Sequence, residues 1–346
     1  MNLAFAAHDP GGANAIRPII LQAIAQGLSP RLFATGPAVS MWAGLPGLIE
    51  SEDSASPSEC FDGKVPDVVI TGTSMMSDFE QRFWNLDDVV STAVLDSWVN
   101  LKIRFEHHTT GALVLPDAIG VIDEQSRLEL SSQDWCTAEL MVVGQLHLEQ
   151  QIRELKEKWE VRERSSELRA VFFSEPVEAD EAVTGVRGYN KFDIFHSVLK
   201  NLPVEQDIRM FVKLHPRESR TEWDRFVADL KYPRDLKLSF VTDSAEDVLL
   251  GADYVIGMAT MVLLEAAGVG IPVASIEPDR IRTCNPGIDA NKDIYKAHSY
   301  AEIASTLDAL FQSKPKKPKQ ASRLNIEAIT GQILNQLEDA VQQKRR

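Results

Sequence analysis

The segment His8-Asp9-Pro10-Gly11-Gly12-Ala13-Asn14 sets an imidazole, a carboxylate and two glycines side by side. Asp9, or His8, has the chemistry of a general base for a hydroxyl. Gly11 and Gly12 allow a ligand close to the backbone, and the helix that follows favours an anion at its start. A tight turn with a helix cap is the plainer alternative. A second group lies in Leu95–Phe105, LDSWVNLKIRF, where Asp96 closes an apolar run and Trp98, Asn100 and Arg104 follow. An aromatic face, an amide and a guanidinium suit a sugar, with its apolar C–H faces ringed by hydroxyls. A surface loop with one buried Trp fits equally. Glu106-His107-His108 comes next, but adjacent histidines point apart and no HExxH spacing exists, so no metal site is expected.

In the second half, Lys213-Leu214-His215-Pro216-Arg217-Glu218 ends an apolar run. Pro216 stops the strand and leaves His215 at the sheet edge, where an imidazole binds a phosphate oxygen or protonates a leaving group. Further on, Gly257-Met258-Ala259-Thr260 turns into the apolar helix that begins at Met261. Free amides around Met261 and the Thr260 hydroxyl would meet an anion there, and Glu265 could accept from ribose hydroxyls. A simple N-cap at Thr260 and a solvated Glu265 are the alternatives.

Short β-like runs alternating with helical patterns must place these residues, as in a parallel sheet with crossover helices. The first half reads LAFAA, RLFAT, DVVITG, STAVLD, ALVLP, AIGVID and LMVVG as strands. The first helix carries Ile16, Ile19, Ile20, Ala23 and Ile24 at helical spacing, with Pro18 expected near its first turn. A charged helix is predicted over Gln145–Arg164. RAVFFS then opens a second series with MFVKL, LSFVT, DYVIG and PVASI, and a terminal amphipathic helix follows a Pro/Lys-rich tract. The halves share this pattern without a residue-level repeat.

The 346 residues suit two domains, and 44% apolar with 25% charged residues is the balance of a globular chain. No run approaches the roughly 18 apolar residues of a membrane span. The formal charge of −15 argues against broad nucleic-acid binding. The start reads as a first strand rather than a secretory leader, so a cytoplasmic protein is expected, with peripheral placement at the inner face of a membrane as a variant. Cys60, Cys136 and Cys284 share no ligand spacing and read as reduced.

A strand ending in Gly257, a Thr-started helix carrying Glu265-Ala266, then Gly270-Ile271-Pro272 and a strand resembles the nucleotide-binding half of GT-B glycosyltransferases and sugar-nucleotide 2-epimerases. His215-Pro216 after a strand resembles the motif of bacterial sialyltransferases and related inverting capsule and lipopolysaccharide transferases. The family's serine-rich phosphate loop is here Met258-Ala259-Thr260-Met261, with one hydroxyl. The resemblance implies an α/β chain of two Rossmann-like domains facing across a cleft, with the C-terminal helix crossing back to the first. The expected division is 1–164 for the acceptor side, 165–320 for nucleotide binding and 321–346 for the returning helix.

It further implies that His215, Pro216, Thr260, Met261 and Glu265 hold a CMP-, UDP- or GDP-linked sugar, with Ser174 and Glu175 nearby and no tightly bound cofactor. The loop of Asp9, Gly11 and Gly12 would correspond to the one that activates a glycan or glycolipid acceptor. Asp9, Asp96 and His215 are then the expected catalytic residues of a metal-independent glycosyltransferase of surface-polysaccharide, lipopolysaccharide or glycoconjugate synthesis. A sugar-nucleotide 2-epimerase and a non-catalytic nucleotide- or glycan-binding protein are the alternatives.

Overall fold

The computed structural model describes residues 1–161, 167–203, 208–230, 236–314 and 326–344. The chain divides into two compact units, Met1–Gln150 with Arg323–Arg346, and Gln151–Ser322. The boundaries expected at 164 and 320, the end of the predicted helix at Arg164 and most of the Pro/Lys-rich tract lie outside the described residues.

The first unit runs β1 (Leu3–Ala7), α1 (Pro10–Ala25), β2 (Arg31–Ala34), α2 (Pro37–Met41), β3 (Leu48–Glu50), α3 (Pro57–Phe61), β4 (Val68–Thr71), β5 (Val90–Val94), β6 (Ala118–Val121), α4 (Glu124–Ser131), β7 (Glu139–Val142) and the start of α5 (Leu146–Glu160). Its sheet is wholly parallel, in the order β3-β2-β1-β4-β5-β6-β7. Helices on both faces bury a parallel sheet, which is why its central strands read as continuous apolar runs. Leu3, Phe5 and Ala7 of β1 face one core with α1, while Ala4 and Ala6 face another with Phe33, Val69, Phe79 and Phe83. That alternation is the period of two of an extended chain.

The second unit runs β8 (Leu168–Phe173), α6 (Val177–Thr184), α7 (Lys191–Lys200), β9 (Ile208–Lys213), α8 (Arg220–Asp229), β10 (Lys237–Val241), α9 (Ala245–Leu250), β11 (Tyr254–Gly257), α10 (Val262–Val269), β12 (Val273–Ile276), α11 (Pro286–Ala290), β13 (Ile294–Ala297) and α12 (Ile303–Gln312). It is again wholly parallel, ordered β10-β9-β8-β11-β12-β13. Its larger core joins Ala170, Phe172, Ile256 and Ala274 to Phe195 and Val198 of α7, Trp223 of α8 and Leu307 of α12. The last helix, α13 (Ile326–Lys344), belongs to the first unit. Ile333, Leu334, Leu337 and Val341 enter its core, and the Lys344 ammonium donates to the Val89 carbonyl at 2.8 Å.

Three local expectations are corrected. Ala112–Pro116 forms no strand; Leu113 makes only an isolated bridge to Glu106, and Pro116 lacks the donor a ladder needs. Pro18 lies in the interior of α1, which begins at Pro10 and runs through both glycines. Pro10 supplies the start residue that tolerates a missing N–H, and the buried ring of Pro18 adds to the core in place of the lost bond. The N-cap of α10 is Met261 rather than Thr260.

Each sheet reverses its winding beside its first strand, between β1 and β4 in one unit and between β8 and β11 in the other. Loops diverge there and open a crevice beyond the carboxyl ends of the strands. In the first unit the opposing backbones touch. A Cβ on Gly12 would lie 2.9 Å from Gly72 Cα, and one on Gly72 would lie 2.6 Å from Gly12 Cα. Backbone cannot yield as a flexible side chain does, so Gly72→Ala is expected to cost about 1–3 kcal/mol of stability. Gly331→Ala in α13 meets nothing closer than 3.7 Å and should gain up to about 1 kcal/mol by easing helix formation. Urea denaturation of both variants checks the pair, and equal effects would refute the close-approach argument.

Candidate functional site

At the first crevice the structure brings Asp9, Gly11, Gly12 and Asp96 together. Asp9 Oδ1 lies 2.7 Å from His8 Nδ1, and Asp9 Oδ2 accepts the Met75 N–H across the crevice at 3.2 Å. Asp96 stands two residues beyond β5 and pairs with Arg104. The same Arg104 nitrogen donates to the Thr73 carbonyl at 3.0 Å and the Thr73 hydroxyl at 3.1 Å, fixing the loop after β4. A Cβ on Gly11 would lie 1.9 Å from Asp96 Oδ2, so the carboxylate occupies the space that this glycine leaves. Both acids keep about a quarter of the side chain exposed, 24% for Asp9 and 22% for Asp96.

The Trp98 indole donates to Asp123 at 2.7 Å, and Asn100 takes a left-handed turn conformation. His107 lies 3.2 Å from Asp78, whose other oxygen accepts the His108 N–H. Among the described residues no group of three His, Cys, Asp or Glu side chains is arranged to hold a metal ion.

The second crevice holds Glu175, two residues beyond β8 and buried. One oxygen accepts the Ala259 N–H at 2.5 Å, and the other accepts from Arg187 at 2.8 Å. Thr260 N–H adds a further favourable interaction. An internal carboxylate therefore already sits on the amides expected to face an external anion. Burial nonetheless raises the Glu175 pKa above the ordinary carboxyl value, opposed by Arg187 and the two amides. Arg187 also binds Asp180, which in turn binds Arg217, so one chain of charges ties α6 to the His215 loop. Asn285 donates to the Ala259 carbonyl at 3.0 Å, and its Nδ2 lies 3.5 Å from Met261 Sδ.

Ser174 and His215 meet through Glu218. Its carboxylate is buried and accepts from the Ser174 hydroxyl at 2.8 Å, His215 N–H at 2.9 Å and the Trp223 indole at 3.1 Å. The Lys191 ammonium lies 3.4 Å away. Pro216 forces the turn that lets Glu218 reach back. Arg217 N–H donates to His215 Nδ1 at 3.2 Å, which puts the ring proton on Nε2. Burial, then the Arg217 charge, lowers the His215 pKa below 6.5, so the ring is a neutral donor at neutral pH.

Beside these loops lies a pocket of about 650 Å³, within the range of small-molecule sites. Pro176 just before α6, Glu178 of α6, Lys191 and Phe192 of α7, and Arg217, Glu218, Glu222 and Arg225 in and before α8 line it. Glu265 stands apart, with Glu246 of α9 as its electrostatic neighbour.

Sequence reasoning missed the partners that organise these sites: Glu80, Glu218, Arg187 and Glu277. Glu277 is buried, accepts from Tyr189 at 3.1 Å and lies 3.3 Å from Arg280. Glu277 directly follows the apolar run of β12, a signal that could have marked it, whereas Glu80 and Glu218 lie in polar stretches that carry no such signal.

Burial holds protons on Glu80 up to about 8, and on Glu265 and Glu277 up to about 7. In the unfolded chain these carboxyls titrate near 4.5. The folded state thus binds more protons across that window, and stability contributed by these groups falls as pH rises through it. His215 acts oppositely, and only below 6.5. Urea midpoints are expected to be lower near about pH 8 than near about pH 6.5, with Glu277→Gln flattening the slope. A midpoint that rises with pH would contradict these assignments.

No protein-family model matches the chain, and no curated protein does. Solved structures do match. UDP-GlcNAc 2-epimerase from Methanocaldococcus jannaschii is 12% identical with a TM-score of 0.64, covering 97% of this chain and 100% of that one. S. aureus MnaA, in a co-structure with UDP, is 12% identical with a TM-score of 0.63, over 99% and 97%. UDP-GlcNAc 2-epimerase from Neisseria meningitidis, bound to UDP-GlcNAc, is 12% identical with a TM-score of 0.59, over 98% and 100%. At such identities the likeness shows the fold: two parallel-sheet α/β domains of the GT-B kind. Among the described residues no helix is long and apolar enough to cross a membrane.

Proposed function

We propose that this chain is a nucleotide-sugar enzyme that breaks the bond between a sugar and its nucleoside diphosphate without a resident metal. The observation that carries this reading is the carboxyl edge of β8 and β9. There a neutral His215, its Nε2–H set by Arg217 and its loop braced by Glu218, stands beside a pocket of about 650 Å³ in which Lys191, Arg217 and Arg225 alternate with Glu178, Glu218 and Glu222. A diphosphate gains negative charge as the sugar–oxygen bond breaks, and a donor already oriented toward that charge stabilises its departure. Glu175 occupies the amides of Ala259 and Thr260, so the phosphates are assigned to the His215 side of the second unit. Thr260 and Met261 are left to the nucleoside.

Glycosyl transfer is the first form of this reading. Asp9 takes the proton of an acceptor hydroxyl, with Asp96 as the second candidate, and the sugar passes to the acceptor with inversion. The acceptor is a glycan or glycolipid, and surface-polysaccharide or glycoconjugate synthesis is the setting. Epimerisation at carbon 2 is the second form, favoured by the UDP-GlcNAc 2-epimerases that share the fold. The same structures make a UDP-sugar the first donor to try.

Purified protein is expected to melt at a higher temperature with one of UDP, GDP or CMP or its sugar conjugate, because a ligand of the folded state stabilises it by mass action. The shift should vanish in His215→Ala. Turnover should fall by about 10²-fold or more in His215→Ala and in Asp9→Asn. Two incubations separate the two forms: a sugar inverted at carbon 2 with no acceptor present identifies epimerisation, and donor consumed with sugar appearing on an added glycan or glycolipid acceptor identifies transfer. No thermal shift with any nucleotide would sink the reading.

A further inference from the structure

Glu80 opens a short helical turn, Glu80–Phe83, beside the wholly buried rings of Phe79 and Phe83, and 1% of its surface reaches solvent. Its Oε1 accepts the His8 N–H at 2.9 Å, while Oε2 is buried without a hydrogen-bond partner among the described residues. The other contacts of His8 complete a box. Its carbonyl accepts from Ala38 N–H at 3.0 Å, and Nδ1 meets Asp9 at 2.7 Å. Nε2 lies 2.7 Å from where a Cβ on Gly36 would stand, and the Gly36 φ of +53° favours glycine there.

We propose that Glu80 is a positioning residue for proton transfer at the first crevice, holding the His8 backbone so that the ring engages Asp9. This rests on the reading that the Asp9 loop handles the substrate's proton. The charged groups facing Glu80 are few. Asp9 and Asp53 are carboxylates that oppose its ionisation, and Arg82 of the same turn is engaged with the Asp53 and Ala55 carbonyls. Strands β1 and β4, which pack on the turn, carry no charged side chain. Burial first, then those two acids, keeps the Glu80 carboxyl protonated up to about 8. As the neutral acid it accepts from His8 without adding charge beneath Asp9. Once ionised, it repels Asp9 and pulls harder on the His8 N–H, so the pair's geometry changes as pH passes about 8.

Imidazole nitrogen and carboxyl carbon NMR across this range tests the proposal without any turnover. In the wild type, the His8 and Asp9 signals are expected to inflect near about 8. Glu80→Gln keeps an acceptor, so His8 should keep one tautomer and lose the inflection. Glu80→Leu should let the His8 tautomers average while the circular dichroism stays native. An inflection that persists in Glu80→Gln overturns the proposal, as does a fixed His8 tautomer in a folded Glu80→Leu; if the latter does not fold, Glu80→Gln decides alone. Normal turnover in Asp9→Asn beside the expected NMR result would refute the catalytic reading of the loop and leave the geometric one standing.

Discussion

Two parallel sheets that wind in both directions from their first strand must part their loops at the reversal, and a carboxylate bridges that gap in each unit. Asp9 reaches from the loop after β1 to the Met75 amide. Glu175 reaches from the loop after β8 to the Ala259 amide. Each acid stands two residues past its strand and is followed by proline, which carries the chain into a helix: Asp9-Pro10 and Glu175-Pro176. Buried or half-buried amides need an acceptor, and an acid there supplies one while leaving its second oxygen for another partner. The loops that carry Gly11, Thr73, Thr260 and Met261 take their course from these bridges.

The second oxygen then distinguishes the units. Asp9 spends it on a neighbouring imidazole, and both side chains stay partly exposed. Glu175 spends it on Arg187, which is buried and shared with Asp180. Taking such ions out of water is costly unless every charge is answered, and removing one partner strands the others. The network of the second unit is therefore suited to holding a loop in one place. His215 inherits that rigidity through Asp180, Arg217 and Glu218.

The paired acids also show a repeat that the sequence hides. Val68–Thr71 and Tyr254–Gly257 are the fourth strands of the two units, and their pairing with β1 and β8 sets Thr71 opposite Ala6 and Ile256 opposite Phe172, each three residues before its acid. Aligned by this pairing, Gly72 falls on Gly257 while Thr73, Ser74 and Met75 fall on Met258, Ala259 and Thr260, so the residues themselves repeat only at the glycine. Backbone geometry is conserved between the halves where side chains are not, because the reversal requires a turn and an acceptor rather than particular residues.

Strand and helix order, the parallel class and the position of Asp9, Asp96, His215 and Thr260 at strand ends were legible in local pattern, since apolar runs and their stops are properties of neighbouring residues. Local reading erred where a buried environment changed the outcome: Pro18 is tolerated inside α1 by its packing, and Ala112–Pro116 finds no strand to pair with. The partners of the site were not legible at all. Glu80 meets His8 across 72 positions, Glu175 meets Ala259 across 84, and Asp96 meets Gly11 only because β5 lies near β1 in the sheet. Hydration decides whether a carboxylate is a base, an acid or a brace, and hydration is set by what the folded chain places around it.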